Sequence, residues 1–396
     1  MQRNFKSSAT RSTGLLFSVF ALVFLTAPVF GQHIHELYYN NADWVDSDLT
    51  SQTGGPVVYP QGVAAFYTTP NDQFHVYYAS NGDYHVHQLF FNGSSWSDSD
   101  LTALTGGAIA SNSAGMSGFS IADAQYVYFC SDDFSLHEYS YGDGGNFNWV
   151  DRALPIGGYS GTCGFAPVGI VAYATANGQR HVYYEAPYSA AGRTIYHLYF
   201  NGSKWVRQNL TAVTKGEKAQ GATWMSGFAN ANDQYVFFQG VDGHIHEYSD
   251  VTSWKDQDLT VLAGGVAATS FEGNGTAAFI VPGKTQMEVY YAGGSTEQLH
   301  CMTFKSGKWK DANLTTLTGG PGPYSLSQMV GFATTPNNQF HVYLGGIGED
   351  VIEQFFYNGK SWAAQELPSV GPAGIGPGIA GFSLGNLQHV YYISAN

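Results

Sequence analysis

Seven of the eight tryptophans return along the chain at intervals of 49 to 56 residues, each in the same local phrase. An indole face packs against the apolar C–H patches of a sugar ring, and carboxylate, amide or imidazole groups hydrogen-bond sugar hydroxyls. A tryptophan at a repeated position can also serve only to cover the edge of a sheet. The series consists of Trp44, Trp96, Trp149, Trp205, Trp254, Trp309 and Trp362, and Trp224 lies outside it.

Polar residues recur at two positions before each tryptophan. In the phrase HIHELYY at 33–39, Glu36 shares a face of an extended strand with Tyr38, whereas His33 and His35 lie on the other face. A carboxylate or amide returns at the position of Glu36, as Gln88, Glu138, Glu247 and Gln354. The preceding phrase, HVYY in its commonest form, starts with a polar or aromatic residue: His75, Tyr126, His181, Tyr235, Glu288, His341 and His389. These positions predict a recurring hydrogen-bonding and stacking pocket, although a carboxylate at a strand end can instead bind backbone groups.

Three histidine pairs have the i, i+2 spacing that suits a metal ion on a strand: His33/His35, His85/His87 and His244/His246. A histidine pair without a nearby third ligand is weak evidence for zinc. The recurrence of the pairs in the repeat favours packing or hydrogen bonding to a ligand. The sequence therefore predicts no metal site.

Four short strands in each repeat must position these residues. The first strand is small and apolar, the second is the HVYY phrase, and the third is the HxHELYY phrase. The fourth begins at the tryptophan and runs into Asp-Leu-Thr. Turns such as Asn92-Gly93 and Asn201-Gly202 join the third strand to the fourth, as expected for a hairpin. Four strands in a repeat of about fifty residues are typical of a β-propeller blade.

The phase of the repeat predicts how the ring closes. The chain after residue 31 opens with a third and a fourth strand and ends with a first and a second strand. Together the two fragments complete a seventh blade, and their pairing removes exposed sheet edges. The predicted fold is all-β: one seven-bladed β-propeller domain, residues 32–396, whose blade of N-terminal and C-terminal strands closes the ring.

Residues 1–31 differ in kind from the rest of the chain. Arg3, Lys6 and Arg11 form a basic segment, and an apolar run of eleven residues follows at 15–25. This pattern predicts a secretory signal peptide and a secreted protein, with an uncleaved N-terminal anchor as the alternative. The run is too short to span a bilayer comfortably, and no membrane association is expected after signal removal.

Composition restricts the partners. The formal net charge is −14, and Lys and Arg do not cluster beyond the N-terminus. Nucleic-acid binding requires a basic surface and is therefore excluded. The 61 aromatic residues and 49 glycines, with only 12% charged residues, favour many short strands joined by tight turns. The sequence does not predict the oligomeric state.

The repeat resembles that of the fungal fucose-specific lectins, which are β-propellers with sugar sites between blades. The resemblance covers the whole chain after the signal and is carried by HVYY with its Gly turn, by IHEY or IHEL, and by the phrase FNGSKW at 200–205. It implies a non-enzymatic lectin with glycan partners and no cofactor. The family takes a basic second-strand residue and a third-strand Glu from one blade, and an aromatic pair from the next blade.

When the family's site positions are carried over to this sequence, the resemblance implies five sites, with no catalytic residues. They are His389 and Glu36 with Phe91 and Trp96; His75 and Gln88 with Tyr141 and Trp149; Tyr126 and Glu138 with Phe200 and Trp205; Tyr235 and Glu247 with Phe304 and Trp309; and His341 and Gln354 with Tyr39 and Trp44. The pairs His181/His197 and Glu288/Cys301 depart from the pattern, so their two crevices are expected to be degenerate.

Two departures from the family concern the ligand. The family has six blades and an arginine in the second strand, whereas this chain has seven repeats and no arginine at the seven matching positions. Histidine or tyrosine does not supply the charged donor fork of arginine. The expected ligand is fucose or a related neutral sugar. If His75, His341 and His389 accept hydrogen bonds from hydroxyls, binding should fall near pH 6 as imidazoles protonate.

Two other functions remain as alternatives. A propeller with the same repeat can be a non-catalytic scaffold for protein contacts. It can also be a sialidase-like glycoside hydrolase, which would gather paired carboxylates or an arginine cluster at one asymmetric site. Here the polar residues are distributed with the repeat, and four arginines lie between 152 and 207. The sequence therefore favours binding over catalysis.

Overall fold

The structure is a computed structural model of the full chain. It describes residues 31–60, 62–112, 115–156, 169–186, 192–221, 224–269, 275–323, 328–345, 351–368 and 378–395. All of the predicted signal peptide except Gly31 lies outside the described residues, so signal cleavage and secretion stay predictions.

In the described residues, twenty-eight strands form seven antiparallel sheets of four strands each, and each sheet is one blade. Blade 1 contains β1 (Gln32–Tyr39), β2 (Trp44–Asp48), β27 (Ile379–Leu384) and β28 (Leu387–Ala395). Blade 2 contains β3 (Ala64–Thr68), β4 (Gln73–Ala79), β5 (Val86–Phe91) and β6 (Trp96–Asp100). Blade 3 contains β7 (Met116–Ile121), β8 (Ala124–Cys130), β9 (Leu136–Tyr141) and β10 (Val150–Ala153).

The other four blades follow in chain order. Blade 4 contains β11 (Ile170–Ala174), β12 (Arg180–Ala186), β13 (Thr194–Phe200) and β14 (Trp205–Asn209). Blade 5 contains β15 (Ser226–Asn230), β16 (Asp233–Gln239), β17 (Ile245–Asp250) and β18 (Trp254–Asp258). Blade 6 contains β19 (Thr276–Ile280), β20 (Met287–Gly293), β21 (Gln298–Lys305) and β22 (Lys308–Asn313). Blade 7 contains β23 (Met329–Ala333), β24 (Phe340–Gly345), β25 (Ile352–Tyr357) and β26 (Trp362–Leu367).

The ring closes as the phase of the repeat predicts. Strand β1 pairs antiparallel with β28, so that Glu36 lies opposite Tyr391 and Tyr38 opposite His389. The first strands of successive blades contact one another around the ring, and β27 of blade 1 contacts both β3 and β23. The seven-bladed β-propeller predicted from the sequence is confirmed.

In five blades the fourth strand runs into a helix of five residues. These helices are α1 (Leu49–Thr53), α2 (Leu101–Thr105), α3 (Leu210–Thr214), α4 (Leu259–Ala263) and α5 (Leu314–Thr318), and a 3-10 helix spans Asp143–Gly145. The Asp or Asn before each α-helix accepts a hydrogen bond from a backbone N–H in the first turn, as Asp48 does from Ser51 at 2.8 Å. In the described part of the chain, no helix is long and apolar enough to cross a membrane.

Apolar side chains pack between neighbouring blades. One cluster joins Val76 and Leu89 of blade 2 to Ile34 and Tyr391 of blade 1. The first strands approach each other so closely that a Cβ on Gly118 would lie 2.8 Å from the Phe66 ring of the previous blade. The first strand of each repeat therefore needs small side chains, because neighbouring first strands leave little space between them.

Candidate functional site

The crevice between two successive blades brings together side chains from both, and we name it by the blade numbers. One side is the second-strand and third-strand face of the first blade. The other side carries the end of the third strand, the tryptophan and the start of the second strand of the next blade. The structure places all five predicted residue sets in such crevices, and it brings the four members together in crevices 1/2 and 7/1 around a cavity.

Crevice 1/2 contains a cavity of about 340 Å³. The aromatic rings of Phe91 and Trp96, with centroids 5.6 Å apart, form one side together with Phe74. The other side presents Glu36 and His389. This arrangement offers an apolar surface opposite polar groups.

The polar side of crevice 1/2 is only partly hydrogen-bonded. Glu36 Oε1 lies 2.8 Å from His389 Nδ1 and accepts a hydrogen bond from the Tyr391 hydroxyl at 3.0 Å. A carboxylate cannot donate when ionised, so the His389 Nδ1 carries the proton in this contact. The buried His389 Nε2 has no hydrogen-bond partner among the described residues. A buried polar atom without a partner is costly.

Crevice 7/1 has a larger cavity, of about 540 Å³, lined by the predicted Tyr39, Trp44, His341 and Gln354. The Gln354 amide donates to His341 Nδ1 at 2.9 Å and to the Gln388 carbonyl of blade 1 at 3.1 Å. Burial lowers the pKa of His341 to about 3. The imidazole is therefore neutral throughout the physiological range.

Crevice 6/7 was expected to be degenerate, and it lacks the third-strand carboxylate or amide of the pattern, but it is not filled by side chains. It contains a cavity of about 460 Å³, lined on one side by Phe340, Tyr357 and Trp362 and on the other by Glu288 and Thr303. The carboxylate comes from the second strand of blade 6, while the third-strand position is Cys301. The Cys301 thiol and the Thr303 hydroxyl donate to Glu288 Oε2, at 3.1 and 2.6 Å. Burial raises the pKa of Glu288.

Crevice 2/3 is bridged by a glutamine of the next blade. The Gln88 amide donates to His75 Nδ1 at 2.9 Å and to Gln125 Oε1 at 2.8 Å, and the Tyr77 hydroxyl donates to Gln125 at 2.5 Å. The predicted aromatic pair, Tyr141 and Trp149, has centroids 5.5 Å apart. Burial lowers the pKa of His75 to about 4. Because His75 and His341 stay neutral well below pH 6, the expectation that both protonate near that pH is wrong.

Crevice 3/4 brings its predicted residues together around an arginine from the protein itself. The Cζ of Arg180 lies 4.5 Å from the ring centre of Tyr126 and 4.3 Å from that of Phe200, and Trp205 is close by at 5.4 Å. The Arg180 Nη1 lies 3.4 Å from Glu138 Oε2, and both side chains are fully buried. Arg180 thus occupies the space between the aromatic pair and the carboxylate, where a ligand would have to bind.

Crevices 4/5 and 5/6 are closely packed in different ways. In crevice 4/5 the rings of His181 and His197 stack, with a ring-nitrogen distance of 2.9 Å, and Trp254 meets His197 edge-on. This agrees with the loss of the pattern in that crevice. In crevice 5/6 the predicted Trp309 belongs to one apolar cluster with buried Phe237, and Phe304 and Tyr235 pack against that cluster.

Glu247 in crevice 5/6 lacks the tyrosine partner found in other blades. The residue opposite it on the second strand is Phe237, whereas Tyr128 and Tyr391 donate to Glu138 and Glu36. Its Oε1 accepts a weak hydrogen bond from Gln257 at 3.3 Å, and its buried Oε2 has no hydrogen bond among the described residues. Burial raises the pKa of Glu247 to about 7.

The fold is similar to that of solved fungal lectins. A variant of the Aleuria aurantia lectin in complex with alpha-methyl-L-fucoside matches with a TM-score of 0.52 at 20% sequence identity, covering 80% of this chain and 98% of that chain. The Aleuria aurantia lectin described as a six-bladed β-propeller matches at 0.50 and 19%, over 80% and 98%. AofleA from Arthrobotrys oligospora matches at 0.52 and 14%, over 91% and 93%. No family model and no curated protein matches the sequence.

Proposed function

We propose that this protein is a secreted, non-catalytic lectin that binds a neutral sugar, fucose or a related one, in crevices 1/2, 7/1 and 6/7. The observation that carries the proposal is the geometry of crevice 1/2, where an aromatic surface faces the polar side chains of Glu36 and His389. The apolar C–H face of a pyranose fits the aromatic surface, and the hydroxyls of the sugar fit the polar side chains. The complex of the structurally similar Aleuria aurantia lectin with a fucoside supports this ligand class.

Binding is favoured over glycoside hydrolysis by the number of carboxylates in each cavity. Hydrolysis generally uses two carboxyl groups about 5–9.5 Å apart across one bond. The described lining residues include one carboxylate in each case: Glu36 in crevice 1/2, Asp43 in crevice 7/1 and Glu288 in crevice 6/7. A single carboxylate beside aromatic rings can hold a sugar but lacks the second group for its cleavage.

The three open crevices should act by avidity. A single contact with one sugar unit should be weak, while several contacts to one branched or clustered glycan add through effective concentration. A multivalent glycoconjugate should therefore bind much more tightly than its free monosaccharide.

The proposal is tested with a glycan array and three tryptophan substitutions. The wild-type protein should bind a fucosylated or related neutral glycan, and free monosaccharide should compete. Combining Trp44→Ala, Trp96→Ala and Trp362→Ala should abolish binding. The matched control is Trp254→Ala, which alters the closely packed crevice 4/5 and should leave binding intact.

Circular dichroism and the thermal midpoint verify that the variants fold. Failure of the folded wild-type protein to bind any glycan on a broad array would favour a scaffold for protein contacts. Release of chromophore from neutral aryl glycosides would favour an enzyme. Binding that survives the triple substitution would show that the sugar sites lie elsewhere.

A further inference from the structure

The face of blade 5 turned away from Glu247 carries a second cluster of polar side chains. We define the blade 5 cluster as Asp242, His244, His246 and Asp258: the first two precede β17, His246 lies in β17, and Asp258 ends β18. Among the described residues, Asp242, His246 and Asp258 each offer a ligand atom within 4.8 Å of the others. The sequence shows the histidine pair alone, and the fold supplies the carboxylates that the pair lacks in the sequence.

The distances within the cluster suit one small ion. The His244 Nδ1 lies 2.7 Å from Asp258 Oδ2 and 3.7 Å from Asp242 Oδ2, and the His246 Nε2 lies 3.1 Å from Asp242 Oδ2. A tetrahedral ion with bonds of about 2.0–2.1 Å places its ligand atoms roughly 3.3–3.4 Å apart. These three separations lie on both sides of that value, and the ligand atoms of Asp242, His246 and Asp258 lie within 4.8 Å of one another, so side-chain movements would be needed to bring all four groups to one ion.

Surrounding hydrogen bonds already orient the ligands. The His246 Nδ1 lies 3.0 Å from Asp256 Oδ1, which is the carboxylate–histidine arrangement that fixes the ring of a metal-binding histidine. The other oxygen of each acidic residue is held by backbone: Asp258 Oδ1 accepts from Val261 N–H, and Asp242 Oδ1 accepts from His244 N–H, both at 2.9 Å. One oxygen of each carboxylate is therefore left facing the imidazoles.

Access and charge also fit a cation. His246 is buried with 5% of its side chain exposed, while the side chains of Asp242 and His244 are 36% and 31% exposed. An ion can reach the cluster from solvent, and two carboxylates neutralise a divalent charge. Two imidazole nitrogens favour zinc, cobalt, nickel or copper over calcium and magnesium, which prefer all-oxygen sites.

We propose that the blade 5 cluster binds one divalent transition-metal ion of the zinc class, tying the β16–β17 turn to the end of β18. The other blades form a graded comparison. Blade 2 has the same residue types, but its turn carboxylate lies farther from the histidines: Asp83 Oδ2 lies 3.9 Å from His85 Nδ1, whereas Asp242 Oδ2 lies 3.7 Å from His244 Nδ1 and 3.1 Å from His246 Nε2. Blade 3 keeps only one histidine, His137, with Ser135 at the position of His244.

The test measures metal uptake by the full chain after treatment with EDTA. The wild-type protein should withhold one tight equivalent of Zn²⁺ from a chromogenic chelator, and Co²⁺ should show the intense visible absorption of a tetrahedral site. His246→Gln and, on the exposed turn, Asp242→Asn should each weaken Zn²⁺ binding at least about tenfold. Asp256→Asn, which only orients His246, should weaken it by about 10–100-fold.

The matched control is His137→Gln in blade 3, which should leave the tight equivalent unchanged. Two results would overturn the proposal: no tight Zn²⁺ uptake by the folded wild-type protein, or uptake that is the same in His246→Gln, Asp242→Asn and the control. Weak Co²⁺ absorption typical of an octahedral ion would contradict the tetrahedral geometry. Sugar binding is measured in parallel and should not respond to the metal, because the cluster lies on the face opposite crevice 5/6.

Discussion

Acidification from pH 7 to pH 5 should destabilise the ring, because His75 and His341 are buried as neutral imidazoles. Each ring is 2% exposed. The amide NH₂ groups of Gln88 and Gln354 donate to the Nδ1 atoms, so each Nδ1 must be an acceptor without a proton. Protonation would place two N–H groups against each other inside the blade.

The magnitude follows from the pKa values. Burial lowers the pKa of His75 to about 4 and that of His341 to about 3, whereas an unfolded histidine titrates near pH 6.5. Between these values the unfolded chain binds more protons, so the stabilising contribution is present above about pH 6.5 and is lost as the pH falls toward 4. Each histidine should cost about 2 kcal/mol between pH 7 and pH 5, or about 4 kcal/mol for the two.

The assay is urea unfolding at pH 7, 6 and 5. His75→Gln and His341→Gln remove the titrating group and should each reduce the loss of unfolding free energy by about 2 kcal/mol. The control is Tyr126→Phe, at the same strand position in blade 3, where the side chain does not titrate in this range. If both histidine variants lose as much stability on acidification as the wild-type protein, the neutral buried imidazoles are not the cause.

Two further substitutions test buried contacts between polar side chains, the Arg180–Glu138 ion pair and the Gln88–His75 hydrogen bond. Arg180→Ala should reduce the free energy of unfolding, by less than the about 3–5 kcal/mol of an unpaired buried charge, because Arg152 Nη1 stays 2.9 Å from Glu138 Oε1; adding Glu138→Gln should recover part of the loss. Urea unfolding of the single and double variants measures both, and an unchanged single variant would contradict a buried ion pair. Gln88→Glu should give His75 the carboxylate partner that Glu36 gives His389, and so raise the pKa of His75. An NMR titration of His75 should move toward neutral pH, and a midpoint that stays near 4 would refute this.

The sequence predicts the ring well because its evidence is periodic. The tryptophan interval sets the number of blades, and the repeat begins at 33 with a third strand, which requires β1 to pair with β28. The grouping of His341 with Trp44 across the closure also follows from periodicity, since every crevice is built from the same positions. No knowledge of side-chain contacts is needed at this level.

Crevice 6/7 could not be found by matching positions, because its carboxylate has moved from the third strand to the second. Glu288 lies opposite Thr303, and Tyr290 opposite Cys301, so the two strands can present a carboxylate in nearly the same place. The repeated Tyr357 and Trp362 were the available signal. Strand register is a property of the folded sheet, and a sequence comparison by position does not contain it.

Arg180 was missed for a related reason. The family pattern places its arginine at the second-strand position itself, where blade 4 has His181. Alternate residues of a strand point to opposite faces, so the residue before that position enters the preceding crevice. Arg180 therefore fills crevice 3/4, as its contacts with Tyr126 and Phe200 show.

The three open crevices are consecutive around the ring, which bears on the proposed avidity. Blades 6, 7, 1 and 2 enclose crevices 6/7, 7/1 and 1/2, whereas Arg180 and the stacked imidazoles occupy crevices 3/4 and 4/5. In crevices 1/2 and 6/7 the second strand of the next blade contributes Phe74 or Phe340 to the lining. Each phenylalanine adds a third ring to the aromatic surface, and it cannot hydrogen-bond to the carboxylate of the first blade. In crevice 7/1 that strand contributes Gln388 instead, which accepts from Gln354. Sugar binding should therefore be strongest in the two phenylalanine crevices, and a ligand with two terminal sugars should bridge the blades between them.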